Sequence, residues 1–479
     1  MDANQIRRLK PELSRYLKQF ADCFGRKDTR AHMPTYVEGQ LSNLPRKSVE
    51  PIALAAGVPV RTLQEFLSQH VWDEDAVRQR VQQIVAREHS GKRTIGIIDE
   101  TSDVKKGNKT PGVQRQWCGC VGKAENCIVT VHLAFVKDDF HCLLDGELFL
   151  PESWSEDRDR CDAAGIPKKM VYRPKWEIAL EQYDRAQQNG IAFEWLTFDE
   201  GYGSKTPFLR ALDARGQHFV GEVPVNMTGW LEMPRVTSRR TQKTGRPCNI
   251  PRLTKDSPKP QRIDALLDEH PVLANQRWKK YRIKDGDKGP MVWEVKHARI
   301  IRPDTNGLPG ETWHLLVARN VLDKDEVKFF FSNAPENTTV GQMLLVAFSR
   351  WRVERCFQDQ KQDIGLDAWE GRRYIGLKRH LILSSVSYLF LARVRAKLRG
   401  KNPELTVYQV HDAVSALVQS WWLSGRASTA LLQHTASTIA YTQQRNALAR
   451  KCHTKRKRKL LRQKGIKLTQ LLRCEWEST

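Results

Sequence analysis

Apolar residues recur at helical spacing through the first ninety positions, then give way to continuous and alternating runs. In PELSRYLKQFADCF, Leu13, Tyr16, Leu17, Phe20 and Phe24 fall on one helical face. SVEPIALAAGVPVRTLQEFLSQHV predicts a short helix, a turn at Gly57 and a second helix from about Val60 to His70. That spacing fits a helix-turn-helix, which would turn Arg61, Gln64 and Gln69 towards a groove. An ordinary packed helical pair has the same spacing.

From about residue 94 the pattern is that of strands. TIGIID is a continuous apolar run and predicts a buried strand ending at an Asp-Glu pair, Asp99 and Glu100. RQWCGCVGK and CIVTVHLAFV predict two more, joined by a short turn around Lys123 to Asn126. PKWEIALEQYDRAQQNG reads as a helix closed by Gly190. FEWLTFDEGYG predicts a fourth strand that again ends in Asp-Glu, at Asp199 and Glu200, followed by a helix in TPFLRALDARG and a fifth strand in HFVGEVP. Three antiparallel strands, helix, strand, helix, strand is the order of an RNase-H-like α/β core. Residues from about 225 to 275 are polar, basic and proline-containing, and predict a long loop. RWKKYRIKDGDKGPMVWEVKHARIIR and ETWHLLVARNV then predict strands with turns at DGDKG and NGLPG. The expected organisation is a helical region over 1–90, a core over 91–222, a β-rich insertion over 223–338, the rest of the core over 339–400, and a helical basic region over 401–479.

Charge narrows the partner. The 479 residues carry 79 Lys and Arg against 55 Asp and Glu, a net +24, which favours a polyanion such as DNA or RNA. No apolar run of about 18 residues is present and the N-terminus lacks an apolar signal region, so the expectation is a soluble, cytoplasmic, nucleoid-associated protein with no membrane partner. The ten cysteines are scattered apart from Cys118, Cys120 and Cys127, and no CxxC pair occurs. Reduced, mostly buried thiols are expected.

Phosphodiester cleavage by two metal ions needs several carboxylates on rigid elements. In an open α/β sheet, ligands collect at strand ends, which makes Asp99 and Asp199 the first candidates. The third is Glu354, in RWRVERCFQDQK: Arg350, Glu354 and Lys361, at i, i+4 and i+11, fall on one helical face, where two cations would suit a site that also holds phosphates. Strand alternation turns Glu100 and Glu200 away from their aspartates and makes them second choices. Asp103 is a further candidate on a loop. Glu370 reads as structural, pairing with Arg372 or Arg373, and His380 as a core histidine. Lys105, Lys106 and Lys109 follow Asp99 either as a solvated loop or as phosphate contacts. The segment Arg445 to Lys467 holds eleven Lys or Arg and no acid, so Lys455 and Arg456 are candidates for salt-dependent contact with the DNA backbone, a simply solvated tail being the alternative.

The stretches IDETSDVKKG…GVQRQWCGCVGKAENCIV, TFDEGYG and RWRVERCFQDQKQDIGLDAWEGRRYIGLKRH resemble insertion-sequence transposases of the DDE superfamily. The resemblance is to the insertion sequence 701 branch of the group with a Y-R-E-K signature and a β-strand insertion before the Glu, and it runs from about residue 90 to 395. It implies that Asp99, Asp199 and Glu354 form a catalytic, metal-binding triad holding two Mg2+ (or Mn2+) ions. It also implies that Arg350 and Lys361 contact phosphates near the cleaved end. The signature Tyr falls at Ala347, with Phe348 the nearest aromatic. A tryptophan of the insertion can stack on a flipped base in the wider group, so Trp230, Trp278, Trp293 and Trp313 are candidates, each with a core role as its alternative. The expected function is cut-and-paste transposition by a homodimer or larger synaptic complex that binds terminal inverted repeats and target DNA. A related nuclease without strand transfer and a non-catalytic DNA-binding regulator are the rivals.

Overall fold

The computed structural model describes residues 1–238, 250–400, 402–421 and 425–476. Part of the predicted basic loop, residues 239–249, therefore lies outside the described residues. By its contacts the chain divides into two compact units, Met1–Glu194 with Trp351–Ala449, and Trp195–Arg350 with Arg450–Thr479. The class is α/β, with the strand and helix order of an RNase-H-like core, a β-rich segment within it and helices at both ends.

The first unit opens with five helices: α1 (Ala3–Lys18), α2 (Lys27–Leu41), α3 (Val49–Ala55), α4 (Val60–Ser68) and α5 (Glu74–His89). Asp2 and Gln5 form a capping box at the start of α1, which buries Ile6, Leu9, Leu13, Tyr16 and Leu17 along one face. Phe20 and Phe24, predicted on the same helix, are buried from the turn that follows it. Between α3 and α4 the chain turns at Gly57, whose φ of 65° only a glycine adopts without strain. The four strands are β1 (Thr94–Val104), β2 (Gln114–Cys118), β3 (Lys123–Lys137) and β4 (Phe140–Leu148). β1 runs antiparallel along one edge of β3, while β4 and β2 share its other edge. Two findings differ from expectation. β1 continues five residues past Asp99, and β4 was not predicted; it follows a tight turn at Asp138, which has a φ of 50°. Helices α6 (Glu152–Ser155), α7 (Arg158–Ala164) and α8 (Lys175–Gln188) follow, and α8 packs on β3 and β4.

The second unit starts with β5 (Trp195–Phe198), α9 (Glu200–Gly203), α10 (Thr206–Ala214) and β6 (Val220–Val223). Four two-residue strands, β7 (Thr228–Gly229), β8 (Val236–Thr237), β9 (Arg252–Leu253) and β10 (Gln261–Arg262), precede α11 (Ile263–Glu269) and α12 (Pro271–Ala274). The antiparallel run β11 (Lys279–Gly286), β12 (Gly289–Pro303), β13 (Pro309–Asn320) and β14 (Val327–Ser332) turns near the predicted DGDKG and NGLPG sites, and α13 (Val340–Ala347) closes the stretch. β14 pairs with β6, so the fifth strand expected in the core belongs to the same sheet as the β-rich segment.

The first unit resumes with α14 (Trp351–Asp359), a π-helical turn (Gln360–Ile364), α15 (Tyr374–Arg399) and α16 (Val407–Ser420). α15 is the hub of this unit: it packs on α2, α4, α5, α16 and β4 and buries sixteen of its residues. The long α17 (Gly425–Gln463) leads into β15 (Leu472–Arg473), which lies parallel to β11 in the second unit. Leu461 and Ile466 pack there with Val292 and Val321.

Four buried histidines make the first unit acid-sensitive. Burial pushes His132 and His380 down to about 4 and His141 and His411 down to about 3. In the unfolded chain each binds its proton near 6.5, so from there down to the lowered values the unfolded chain holds more protons, and stability falls as pH falls. Burial raises Glu38 to about 7 and Asp359 and Asp412 to about 6, and it also raises Asp363 and Asp367, which opposes part of this effect as the pH falls. Each histidine is worth on the order of 3 kcal/mol once the effect is fully developed. The melting temperature is expected to drop between pH 7 and pH 4.5, and His380→Gln to flatten that slope in a calorimetric pH series.

Candidate active site

Asp99 stands directly opposite His132 in the β1–β3 register, and cross-strand partners project from one face of a sheet. The His132 ring packs at 5.2 Å against Phe357 of α14, so Asp99 lies on the face that α14 covers. Asp103, four residues on, shares it. Both aspartates are buried, and Asp99 Oδ1 accepts the Glu100 N–H at 2.8 Å. Glu100 projects to the other face and pairs with Lys175 of α8 at 2.7 Å.

α14 is held over this face from both sides. Val353, Cys356 and Phe357 bury inwards, and Arg352 donates to the Asp138 carbonyl in the β3–β4 turn. Arg395 of α15 grips the same turn through the Asp139 carbonyl at 2.8 Å. Glu354 sits on the exposed flank of α14 in its first turn. The predicted single face of Arg350, Glu354 and Lys361 is modified. Arg350 belongs to the turn before α14, and Lys361 to the π-helical turn after it, whose i→i+5 bonding rotates later residues away from the α-helical path. Lys361 Nζ forms an ion pair with Asp103 at 2.7 Å and donates to the Ser102 carbonyl at 2.7 Å. Buried Lys47 secures that turn. Its amine donates to the carbonyls of Gln40, at 2.8 Å, and Asp363, and meets His411 Nε2 at 3.1 Å. Burial pushes it down to about 8.

A cleft of about 810 Å³ opens beside this arrangement, lined by Leu44–Lys47, the loop after β1, the π-helical turn and Trp369–Arg372. Its charge is mostly positive, from Arg46, Lys105, Lys106, Lys109, Lys361 and Arg372, against Asp367 and Glu370. Lys106 and Lys109 are exposed. Lys105 instead turns inwards, donating to the Trp369 carbonyl at 2.7 Å and the Asp367 carbonyl at 3.3 Å. Glu370 pairs with Arg46, not with either neighbouring arginine as expected. A smaller pocket shares Trp369, Glu370 and Arg372 with the cleft and reaches Gln64 of α4. Gln64, Gln69 and Arg61 all face outwards, Arg61 in an ion pair with Glu65 at 2.6 Å. Arg46 was not singled out in the sequence, where its one signal is a basic residue beside a proline, and Arg372 was named there only as a pairing partner of Glu370. His380 is a satisfied core histidine, bonded to Tyr36 at 2.8 Å and to the Leu366 carbonyl at 3.0 Å.

In the second unit Asp199 follows β5 and caps α9, its Oδ1 accepting the Tyr202 N–H at 3.3 Å. Glu200 is the first residue of that helix, so its direction is set by a helix and not by strand alternation. Gly203 fixes how closely α9 lies on β6: a Cβ there would stand 1.9 Å from the Glu222 carbonyl oxygen. Gly203→Ala should cost at least about 2 kcal/mol and displace Asp199, read as a lower melting temperature together with lost DNA cleavage. Trp230, Trp293 and Trp313 are buried, and Trp278 is half-buried under the Arg319 guanidinium at 4.1 Å. Ala347 is buried in α13, and the Phe348 ring packs on Trp293 at 4.8 Å. Lys455 and Arg456 are exposed on α17.

Asp99, Glu354 and Asp199 offer hard oxygen donors, the chemistry that Mg2+ or Mn2+ prefers. Among the described residues no three His, Cys, Asp or Glu are already gathered into a metal-holding cluster. The donor chemistry fits a divalent cation.

The profile of a family described as DDE superfamily endonuclease matches residues 19–290, more than half of the chain. A protein of Microchaete diplosiphon described as a probable transposase for insertion sequence element IS701 is 32% identical over 216 residues. That alignment covers 42% of this chain and 53% of the relative, so the chain spans about half the length of the curated relative it matches.

Proposed function

The chain belongs to the DDE superfamily of endonucleases, and from that premise we propose that it is an insertion-sequence transposase. It binds the terminal inverted repeats of its element as a homodimer or larger synaptic complex, cleaves the ends and joins the 3′-hydroxyls to target DNA. Asp99, Asp199 and Glu354 are its triad and hold two Mg2+ or Mn2+ ions. What those cations supply when bound is charge neutralisation at the phosphodiester and a more acidic attacking oxygen.

The observation that carries the reading is the placement of Asp99 on the sheet face covered by the helix that bears Glu354. A buried carboxylate on a central strand is rigid, which lowers the reorganisation needed as charge develops. Lys361 and Lys105 buttress the end of β1 through Asp103 and two backbone carbonyls. The exposed cations of the cleft, Lys106, Lys109 and Arg372, hold backbone phosphates, and α4 with Arg61 and Gln64 reads the duplex beside it. Arg350, Lys455 and Arg456 add further phosphate contacts. Among the described residues no helix is long and apolar enough to cross a membrane, and a cytoplasmic, nucleoid-associated location follows from the DNA partner.

The test is incubation with a plasmid that carries the encoding element and its flanks, with Mg2+ and a target plasmid. Breaks at the element ends followed by joined products are expected. Breaks without joining would leave the nuclease reading, and tight binding with neither would leave a regulator.

A further inference from the structure

The face of the sheet that bears Asp99 does not end under α14. β3 runs unbroken from Lys123 to Lys137, and its pairing with β1 and with β2 has no register shift. Asp99 is opposite His132 and Asp103 opposite Ile128. On the other edge Arg115 is opposite Asn126 and Trp117 opposite Ala124. Positions 124, 126, 128 and 132 of β3 have one parity, so Trp117 and Arg115 project from the same face as the two aspartates. Trp117 is 64% exposed. Its cross-strand neighbour is a small, exposed alanine, which leaves the broad side of the indole open.

This end of the face is also tied to the basic loop. Asn126 Nδ2 donates to the carbonyls of Lys105 at 2.5 Å and Gly107 at 3.0 Å, and the Lys105 N–H returns a bond to the Asn126 carbonyl at 2.9 Å. The loop that carries Lys106 and Lys109 is thereby anchored to Asn126, the cross-strand partner of Arg115. A flat, exposed aromatic beside several cations, on a chain of net charge +24, matches the chemistry of an unpaired nucleotide: the ring stacks on the base and the cations take the phosphates.

We propose that the β2–β3 hairpin is a base-stacking platform, on which Trp117 holds an unpaired DNA base and Arg115 its phosphate. The proposal rests on the reading of the chain as a DNA-cleaving enzyme and adds a second grip on the same DNA. At about 3.4 Å per residue, the four residues from Ile128 to Ala124 put the platform about 14 Å along the strand from Asp103, and the eight from His132 put it about 27 Å from Asp99. Both spans lie within one turn of DNA, so a strand crossing the carboxylate face reaches Trp117 a few nucleotides later. The base must be unpaired because only then is its flat side available.

The test is fluorescence anisotropy of the full chain with three oligonucleotides of common sequence: a single strand, a blunt duplex, and a duplex with a single-stranded tail. Trp117→Ala is expected to weaken binding of the single strand and the tailed duplex by about fivefold to a hundredfold. Trp117→Phe should retain most of the affinity, and the blunt duplex should bind all three proteins alike. An unchanged affinity for every DNA, or an equal loss on the blunt duplex, overturns the platform. Cleavage of the element plasmid is scored in parallel. If cleavage occurs but Trp117→Ala binds like wild type, only the platform fails. If the binding loss appears but the wild type never cleaves, the transposase reading fails and the stacking surface stands.

Discussion

Asp99→Asn lowers metal-dependent cleavage of element DNA by roughly a thousandfold or more, while affinity for the same DNA changes by less than about threefold. The first half follows from chemistry. Replacing one carboxylate oxygen by an amide removes a full negative charge from a buried position and leaves a poorer ligand for a hard cation. Losing one preorganised electrostatic contact in an active site commonly costs about a hundredfold to a thousandfold, and losing a ligand that positions the reactive group adds to that. The second half follows from the placement of the phosphate-holding groups. They are cations carried by the cleft, by α4, by the turn before α14 and by α17, and position 99 is not among them. Glu354→Gln and Asp199→Asn are expected to match. Gel-shift and plasmid-nicking assays on one preparation check both halves. Cleavage within tenfold of wild type for any one of the three removes that residue from the triad.

Arg379→Ala unfolds or loosens the helical region of the first unit, at an expected cost of about 3–5 kcal/mol. The guanidinium is buried in α15 and donates to the carbonyls of Phe66, Leu67, His70 and Trp72, at 3.3, 3.2, 2.9 and 3.3 Å. Phe66 and Leu67 belong to the last turn of α4 and His70 follows just beyond it, where carbonyls lack helical partners and the helix dipole attracts a cation. The same side chain pairs with Glu74 at the start of α5, at 3.3 Å, and lies over the Trp72 ring at 4.4 Å. Truncation removes this donor from the Leu67, His70 and Trp72 carbonyls at once, while Phe66 keeps the Trp72 Nε1–H at 2.9 Å and Glu74 keeps Lys378 at 3.2 Å. Thermal melts are expected to show a large loss, and duplex binding should fall with it because α4 is no longer fixed. Arg379→Lys should recover only part of the stability, since an ammonium cannot span the same acceptors. A melting curve that overlays wild type would show that α4 is held by packing alone.

What could be read from the residues, and what could not, divides along a physical line. The buried run Thr94–Ile98 and the period of α14 were legible because they are local patterns. The extension of β1 through Glu100–Asp103 was not, because those polar residues are tolerated in a sheet only through Lys175 and Lys361, which arrive from distant parts of the chain. β4 hides behind a turn at Asp138 that carries no glycine. The π-helical turn depends on Lys47, and the Arg46–Glu370 pair joins positions 324 residues apart. The two short helices either side of Gly57 were legible; that α4 opens beside a basic cleft was not. Lys105 illustrates the limit from the other side. Its place after Asp99 suggested a phosphate contact, and only tertiary structure shows its amine turned towards backbone carbonyls.

The position of α15 has a consequence for how the protein comes into being. The N-terminal helices α2, α4 and α5 pack on a helix that ends at Arg399, so their apolar faces have no native partner while the chain is being made. At about 5–20 residues per second, the ribosome takes roughly 15–60 s to travel from the end of α5 to the end of α15. During that interval Leu63, Phe66 and Val81 wait exposed or borrow temporary cover, which makes the nascent chain a client for chaperones. The helices that would grip DNA therefore become rigid late in synthesis, when their buried partner emerges.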